Sequence, residues 1–218
     1  MDWGNVAIQI VALLFAVTCH EVAHGWVAYK RGDPTAYMLG RITLNPIKHL
    51  DPFGSVIFPI LLRLMGSPVV FGWAKPVPIN PRNLRDYPKD EILVSIAGVA
   101  TNAALALISA LLLRGLITLM FTVNLGSVAF VIDPLLRLLL ASVAINAILA
   151  IFNILPVPPL DGGHLAMHLA PRNVAAFLER IQPLGFLVVI LLLYLGVVDF
   201  LFNLVIRPLM ALALGPAA

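Results

Sequence analysis

Two histidines one helical turn apart, His20 and His24, bracket a glutamate in the run His20-Glu21-Val22-Ala23-His24. On a helix both imidazoles leave the same face and can reach one ion, while Glu21, the next position round, can touch a water beside it. These residue types divide the labour of metal-assisted hydrolysis: two neutral imidazoles hold zinc, and a carboxylate that is not a ligand takes a proton from water. A catalytic zinc site normally has three protein ligands and one open position. The third ligand must come from elsewhere in the chain.

Asp161 is the best candidate for it. It follows Pro156, Pro158 and Pro159 and precedes Gly162 and Gly163, so it sits on broken helix where backbone can approach closely. A charged aspartate at the centre of a membrane helix costs roughly 2.5 to 3.5 kcal/mol, less near the interface, so it needs a partner. With Asp161 and Glu21 both ionised, one Zn²⁺ per chain makes the site neutral, which suits a low-dielectric surrounding. His164 and His168 are also one turn apart, but no glutamate lies between them, and their ordinary reading is as interfacial histidines. His49 has three readings open: ligand, partner of a ligand, or loop residue.

The elements that must position these groups are membrane helices. The chain is 61% hydrophobic and 11% charged, with a mean hydropathy of +0.98, which excludes a soluble globular domain and requires several spans. The net charge of +3 is small and its basic residues fall between apolar segments, a pattern of topology control rather than of nucleic-acid binding. A single cysteine, Cys19, leaves no internal disulfide. The N-terminal run lacks a basic start and a small-residue cleavage site, and reads as a retained first span.

That span, residues 5–29, ends at Lys30-Arg31-Gly32-Asp33-Pro34. The positive-inside rule puts this end in the cytoplasm, with both histidines shallow in the membrane on that side. Residues 37–44 carry β-favouring side chains around Gly40 and predict a short β-hairpin or edge strand. It reads equally as a plain connection or as an edge that holds an unwound substrate helix by strand addition. Residues 53–65 are short for a span, contain Pro59, and have basic residues on both sides, which predicts a re-entrant or partly inserted segment returning to the cytoplasmic side at Gly72-Trp73-Ala74-Lys75-Pro76-Val77-Pro78. Further spans are expected at 92–113, with Asn102 at membrane depth, and 135–155, with Asn146 and Asn153; an apolar region at 186–206 closes the chain. Asn102 is either glue between helices or part of the active site, where it would bind substrate. The expected fold is an all-α polytopic membrane protein of 4–6 segments in one domain, residues 1–218.

HEVAH in an apolar helix together with NILPVPPLDGG near residue 160 resembles the site-2 protease family of intramembrane zinc metalloproteases. The motifs GRITLNP, HLDPFG, WAKPVP and AGVATN resemble the compact branch of that family, without PDZ or cystathionine-β-synthase-type modules. The resemblance implies that His20, His24 and Asp161 are zinc ligands and Glu21 the catalytic base. It also implies that Asn153 helps hold the scissile carbonyl or its oxyanion. The implied partners are a transmembrane protein substrate and the lipid bilayer, and the implied location is a prokaryotic cell membrane with the active site near the cytoplasmic side. Two other classes use intramembrane His, Glu and Asn: an ion or proton transporter, which would normally show a repeated pair of broken helices, and an inactive relative that binds membrane proteins.

Overall fold

The computed structural model describes residues 2–65, 74–122 and 129–215. Helix α1 (Trp3–Lys30) opens on Asp2, whose side chain accepts from the backbone N–H of Asn5 at 3.2 Å. Its 28 residues extend about 42 Å at 1.5 Å per residue, more than a bilayer's hydrocarbon core. Gly32, at φ +113°, and Pro34 end it.

The expected β-hairpin at 37–44 is absent, and the described residues contain no strand. The segment instead begins with a single helical turn, α2 (Thr35–Met38). Gly40 lies at φ +63° directly after that turn. The N–H of Arg41 bonds back to Ala36 O at 2.9 Å and that of Gly40 to Tyr37 O at 2.9 Å. Such a six-to-one closure around a left-handed glycine is a helix C-cap. The glycine that suggests a hairpin centre in sequence thus terminates a helix, and the capping bonds tie up the N–H groups a strand would offer.

Asp51 accepts from the N–H groups of Phe53 and Gly54 and starts a wide helical turn, Pro52–Ile57, that runs into α3 (Phe58–Leu64). Together they are too short to cross a bilayer, and the return expected from residues 66–73 lies outside the described residues. Ala74 re-enters the core among Ala12, Leu13, Ala16 and Val17 of α1.

Helices α4 (Lys89–Thr122) and α5 (Ala129–Asn153) are each, like α1, long and apolar enough to cross a membrane. The three pack together, with Ile145 and Leu149 of α5 against α1, and Ala106, Ala110 and Leu113 of α4 against Ala147, Ile148 and Val143. Alanine at so many of these positions lets the backbones come close. These helices, with large apolar side chains exposed along their outer faces, make the chain an integral membrane protein.

After α5 come α6 (Asp161–Leu169) and α7 (Arg172–Ile181). The last apolar region is not one continuous span: α8 (Gly185–Tyr194) stops before Gly196, at φ +71°, and α9 (Val197–Leu201) and α10 (Arg207–Leu214) follow. Three helices are therefore of spanning length among the described residues.

Candidate metal centre

Placing His20 and His24 toward the helix interface depends on what α4 presents to them. Gly98 faces both rings, and a Cβ there would run into His24 Nε2 and into His20. Four residues either side on the same stripe, Val94 and Asn102 supply the polar partners. His24 Nδ1–H donates to the Val94 carbonyl at 2.7 Å. His20 Nδ1–H donates to Asn102 Oδ1 at 2.5 Å.

The Asn102 amide is oriented by its other end, whose Nδ2 donates to Asn146 Oδ1 at 2.8 Å and to Ala16 O at 3.3 Å. Asn146 in turn donates to Ser142 O at 2.9 Å, and Ser142 shares a hydrogen bond with Ser109 at 2.8 Å. Asn102 and Asn146 are fully buried. A polar chain therefore runs from His20 across α4 and α5, with each member satisfied, as low-dielectric surroundings require.

Asp161 arrives from the other side as the first residue of α6. A Cβ at Gly162 would strike the carbonyls of Ile154 and Leu155, and one at Gly163 the backbone of Pro158. Only glycine lets the start of α6 fold back on the proline-rich turn, and that close approach brings the carboxylate to the histidines. Asp161 Oδ2 stands 3.2 Å from His20 Nε2 and 3.3 Å from His24 Nε2, and the two Nε2 atoms are 3.0 Å apart.

With both Nδ1 protons committed elsewhere, each Nε2 of a neutral ring carries a lone pair. Three acceptors thus face one another, and Asp161 Oδ2 is buried with no hydrogen-bond donor. A cation resolves that repulsion. Donor atoms around tetrahedral zinc at about 2.0–2.1 Å lie roughly 3.3 Å apart, which matches the observed triangle. A ligand carboxylate must be ionised, and a cation at the centre of the triangle is what would favour that form in so buried a place. Among the described residues this is the one group of three or more metal-binding side chains so placed.

The other sequence candidates lie elsewhere. His49 is buried and donates from Nε2 to Thr43 O at 2.8 Å, and His168 pairs with Glu91 of α4 at 3.2 Å. Neither joins the triangle, and nor does His164. Asn153 donates to Leu149 O of its own helix at 3.0 Å. Glu21 is held by the Val77 backbone, whose N–H donates to Glu21 Oε2 at 2.6 Å. Gly98 and the Val94 carbonyl have no mark of their own in sequence beyond the small-residue run AGVATN, whose Gly98 and Asn102 are spaced to share a helix face.

Comparison with known proteins places the chain in a family. The profile described as "Peptidase family M50" matches residues 112–196, which include Asn153 and Asp161. "Putative zinc metalloprotease YwhC" of Bacillus subtilis (strain 168) is 40% identical over 183 residues, covering 84% of this chain and 78% of that protein.

The chain belongs to peptidase family M50. "Putative zinc metalloprotease Rip2" of Mycolicibacterium smegmatis is 30% identical across 87% of this chain and 68% of that protein. Its namesake in Mycobacterium tuberculosis (strain H37Rv) is 29% identical across 94% and 76%. No solved structure matches the chain significantly. As an M50 member the protein is a site-2-type zinc metalloprotease.

Proposed function

We propose that the chain is an intramembrane endopeptidase that cuts a peptide bond in or beside a transmembrane helix of a membrane protein. The observation that carries this reading is the acceptor triangle of His20, His24 and Asp161, set between helices of spanning length. Its histidines lie about 9 to 15 Å along α1 from Lys30, given 1.5 Å per residue. A site at that depth is within reach of a substrate span, and the basic residues around it favour the cytoplasmic side of the cell membrane. Residues 53–65 then dip into the same leaflet as a re-entrant segment, which with the apolar segments after α7 gives 4–6 membrane segments.

His20, His24 and Asp161 would hold the ion. When bound, zinc supplies a Lewis acid that lowers the pKa of a water to about 7 and polarises the scissile carbonyl. Glu21 takes the proton of the attacking water and delivers it to the leaving amine. Asn153, at the end of α5 eight residues before Asp161, turns its amide from Leu149 toward the developing oxyanion. Asn102, enclosed between His20 and Asn146, orients a ligand instead of touching substrate.

The deciding experiment reconstitutes the purified protein with a single-span substrate and compares wild type with E21Q. E21Q is expected to keep its zinc and to lose about 10²- to 10⁴-fold in cleavage rate, the usual range for removing a general base. Zinc-loaded E21Q that cleaves as fast as wild type would overturn the assignment.

A further inference from the structure

The segment after the re-entrant region is the irregular backbone that reaches into the site, and its contacts are specific. Val77 is almost fully buried and lies over Gly25, one turn beyond Glu21 on α1. A Cβ on Gly25 would come within 3.0 Å of Val77 Cγ1 and 3.2 Å of Ala36. The missing side chain is what lets the Val77 backbone come down onto the helix. There its N–H meets Glu21 Oε2 at 2.6 Å.

The segment is braced on its far side. Lys75 N–H donates to His49 O at 2.9 Å. Arg41 Nη2 donates to Lys75 O at 2.8 Å and to Pro76 O at 3.3 Å. His49 is fixed by its own bond to Thr43 O. Pro76 and Pro78 on either side of Val77 restrict φ and carry no N–H. Val77 therefore presents the one backbone donor in a stiff stretch of three residues, and it points at the proposed base.

We infer that the Val77 backbone N–H is a positioning group for catalysis: it fixes one oxygen of Glu21 and sets the other toward the attacking water, with Arg41 and His49 holding the donor in place. This rests on the reading of Glu21 as general base. A charge-assisted bond of this length holds a carboxylate in one orientation, and a base misplaced by about 1 Å can cost on the order of 10²-fold in rate. No new atom enters the reaction; the contact governs only where the accepting oxygen stands.

V77P deletes the N–H while keeping an apolar side chain of similar bulk. The expected result is a kcat lower by about 10²-fold, with KM and zinc content unchanged. V77A removes packing but keeps the N–H, and is expected to retain at least tenfold more kcat than V77P. If V77P fails to retain zinc, an amide-to-ester replacement at Val77, which swaps only N–H for oxygen, carries the same comparison. Wild-type kcat in the zinc-loaded N–H deletion would overturn the inference, as would V77A and V77P falling equally. E21Q run alongside separates the two proposals: an active E21Q removes the base itself, whereas an inactive E21Q beside a fully active V77P removes only the positioning role.

Discussion

Each imidazole of the site has one proton and one lone pair, and which nitrogen carries which is decided by partners outside the triangle. His24 gives its proton to a carbonyl, which only accepts, so its Nε2 is fixed as a ligand atom by backbone alone. His20 depends on an amide, and that amide depends on Asn146 and Ala16 for its orientation. N102A should therefore leave His20 in place but free to rotate and change tautomer. Zinc affinity is expected to fall by about 10- to 100-fold, the usual cost of losing such an outer partner. D161A, which removes a donor atom of the triangle, should fall further. Competition with a chromogenic chelator measures both. Equal affinity in N102A and wild type would mean that packing alone holds the ring.

At the scale of elements, the site is a matter of how closely α4 approaches α1. G98A adds a methyl group whose carbon would stand 2.5 Å from His20 Cε1 and 2.7 Å from His20 Nδ1. Neither ring can yield without breaking its bond to Asn102 or Val94. The expected cost is about 1–3 kcal/mol of stability from overpacking, together with loss of the stabilisation that zinc gives to wild type. Thermal unfolding in detergent, with and without zinc, measures both. The connection after α1 has a different dependence. Asp33 is fully buried and accepts from the Thr35 hydroxyl, the Asn83 amide at 2.8 Å and the Asn80 N–H at 2.7 Å. Burial pushes its carboxyl up, but these donors outweigh it and leave the folded value below the ordinary one. The unfolded chain, with an Asp pKa of about 3.9, then binds the proton more readily than the folded one. The stabilisation is complete above that value and is lost as pH falls through the lower folded value. D33N should loosen the 80–85 loop at neutral pH and flatten its acid dependence. Hydrogen exchange of residues 80–85 across that range checks both effects.

The site was legible in sequence to the extent that its chemistry is local. His20, Glu21 and His24 follow from spacing within one helix, and Asp161 from the need to partner a carboxylate beside a glycine pair. The partners of those residues come from segments 70 or more positions away, where no periodicity connects them. Elements follow the same division. The three long apolar runs of α1, α4 and α5 declare themselves by length and hydropathy, though α4 runs well past the C-terminal end of residues 92–113, to Thr122. Residues 37–44 mislead because Gly40 is equally at home in a hairpin and in a helix cap, and only the hydrogen bond from Arg41 to Ala36 separates the two. The 186–206 region is apolar but for Asp199 and Asn203, so composition conceals the break at Gly196 that φ reveals.

For the whole molecule, the two ends of the bundle differ in charge and in chemistry. At one end Arg31 of the α1 terminus meets Asp90 at the start of α4 at 3.6 Å. His168 of α6 joins Glu91 there. Lys30 ends α1, Lys89 begins α4, and Arg41, Lys48, Lys75, Arg82 and Arg85 lie in the segments that connect them. At the opposite end Arg137 of α5 binds Asp2 at 3.2 Å and Asp133 at 2.9 Å, so its charge is locally neutralised. A surplus of Lys and Arg favours the cytoplasmic face, and the proposed topology therefore has the end carrying Asp161 inside the cell. In a C19A background, R82C and T122C place single thiols on exposed residues at the two ends of this arrangement. A membrane-impermeant maleimide added to intact cells is expected to label T122C and to spare R82C until the cells are opened. The reverse pattern would put the basic loops outside. Water would then reach His20 and His24 from the outer face, and any soluble fragment released next to the site would leave the cell instead of entering it.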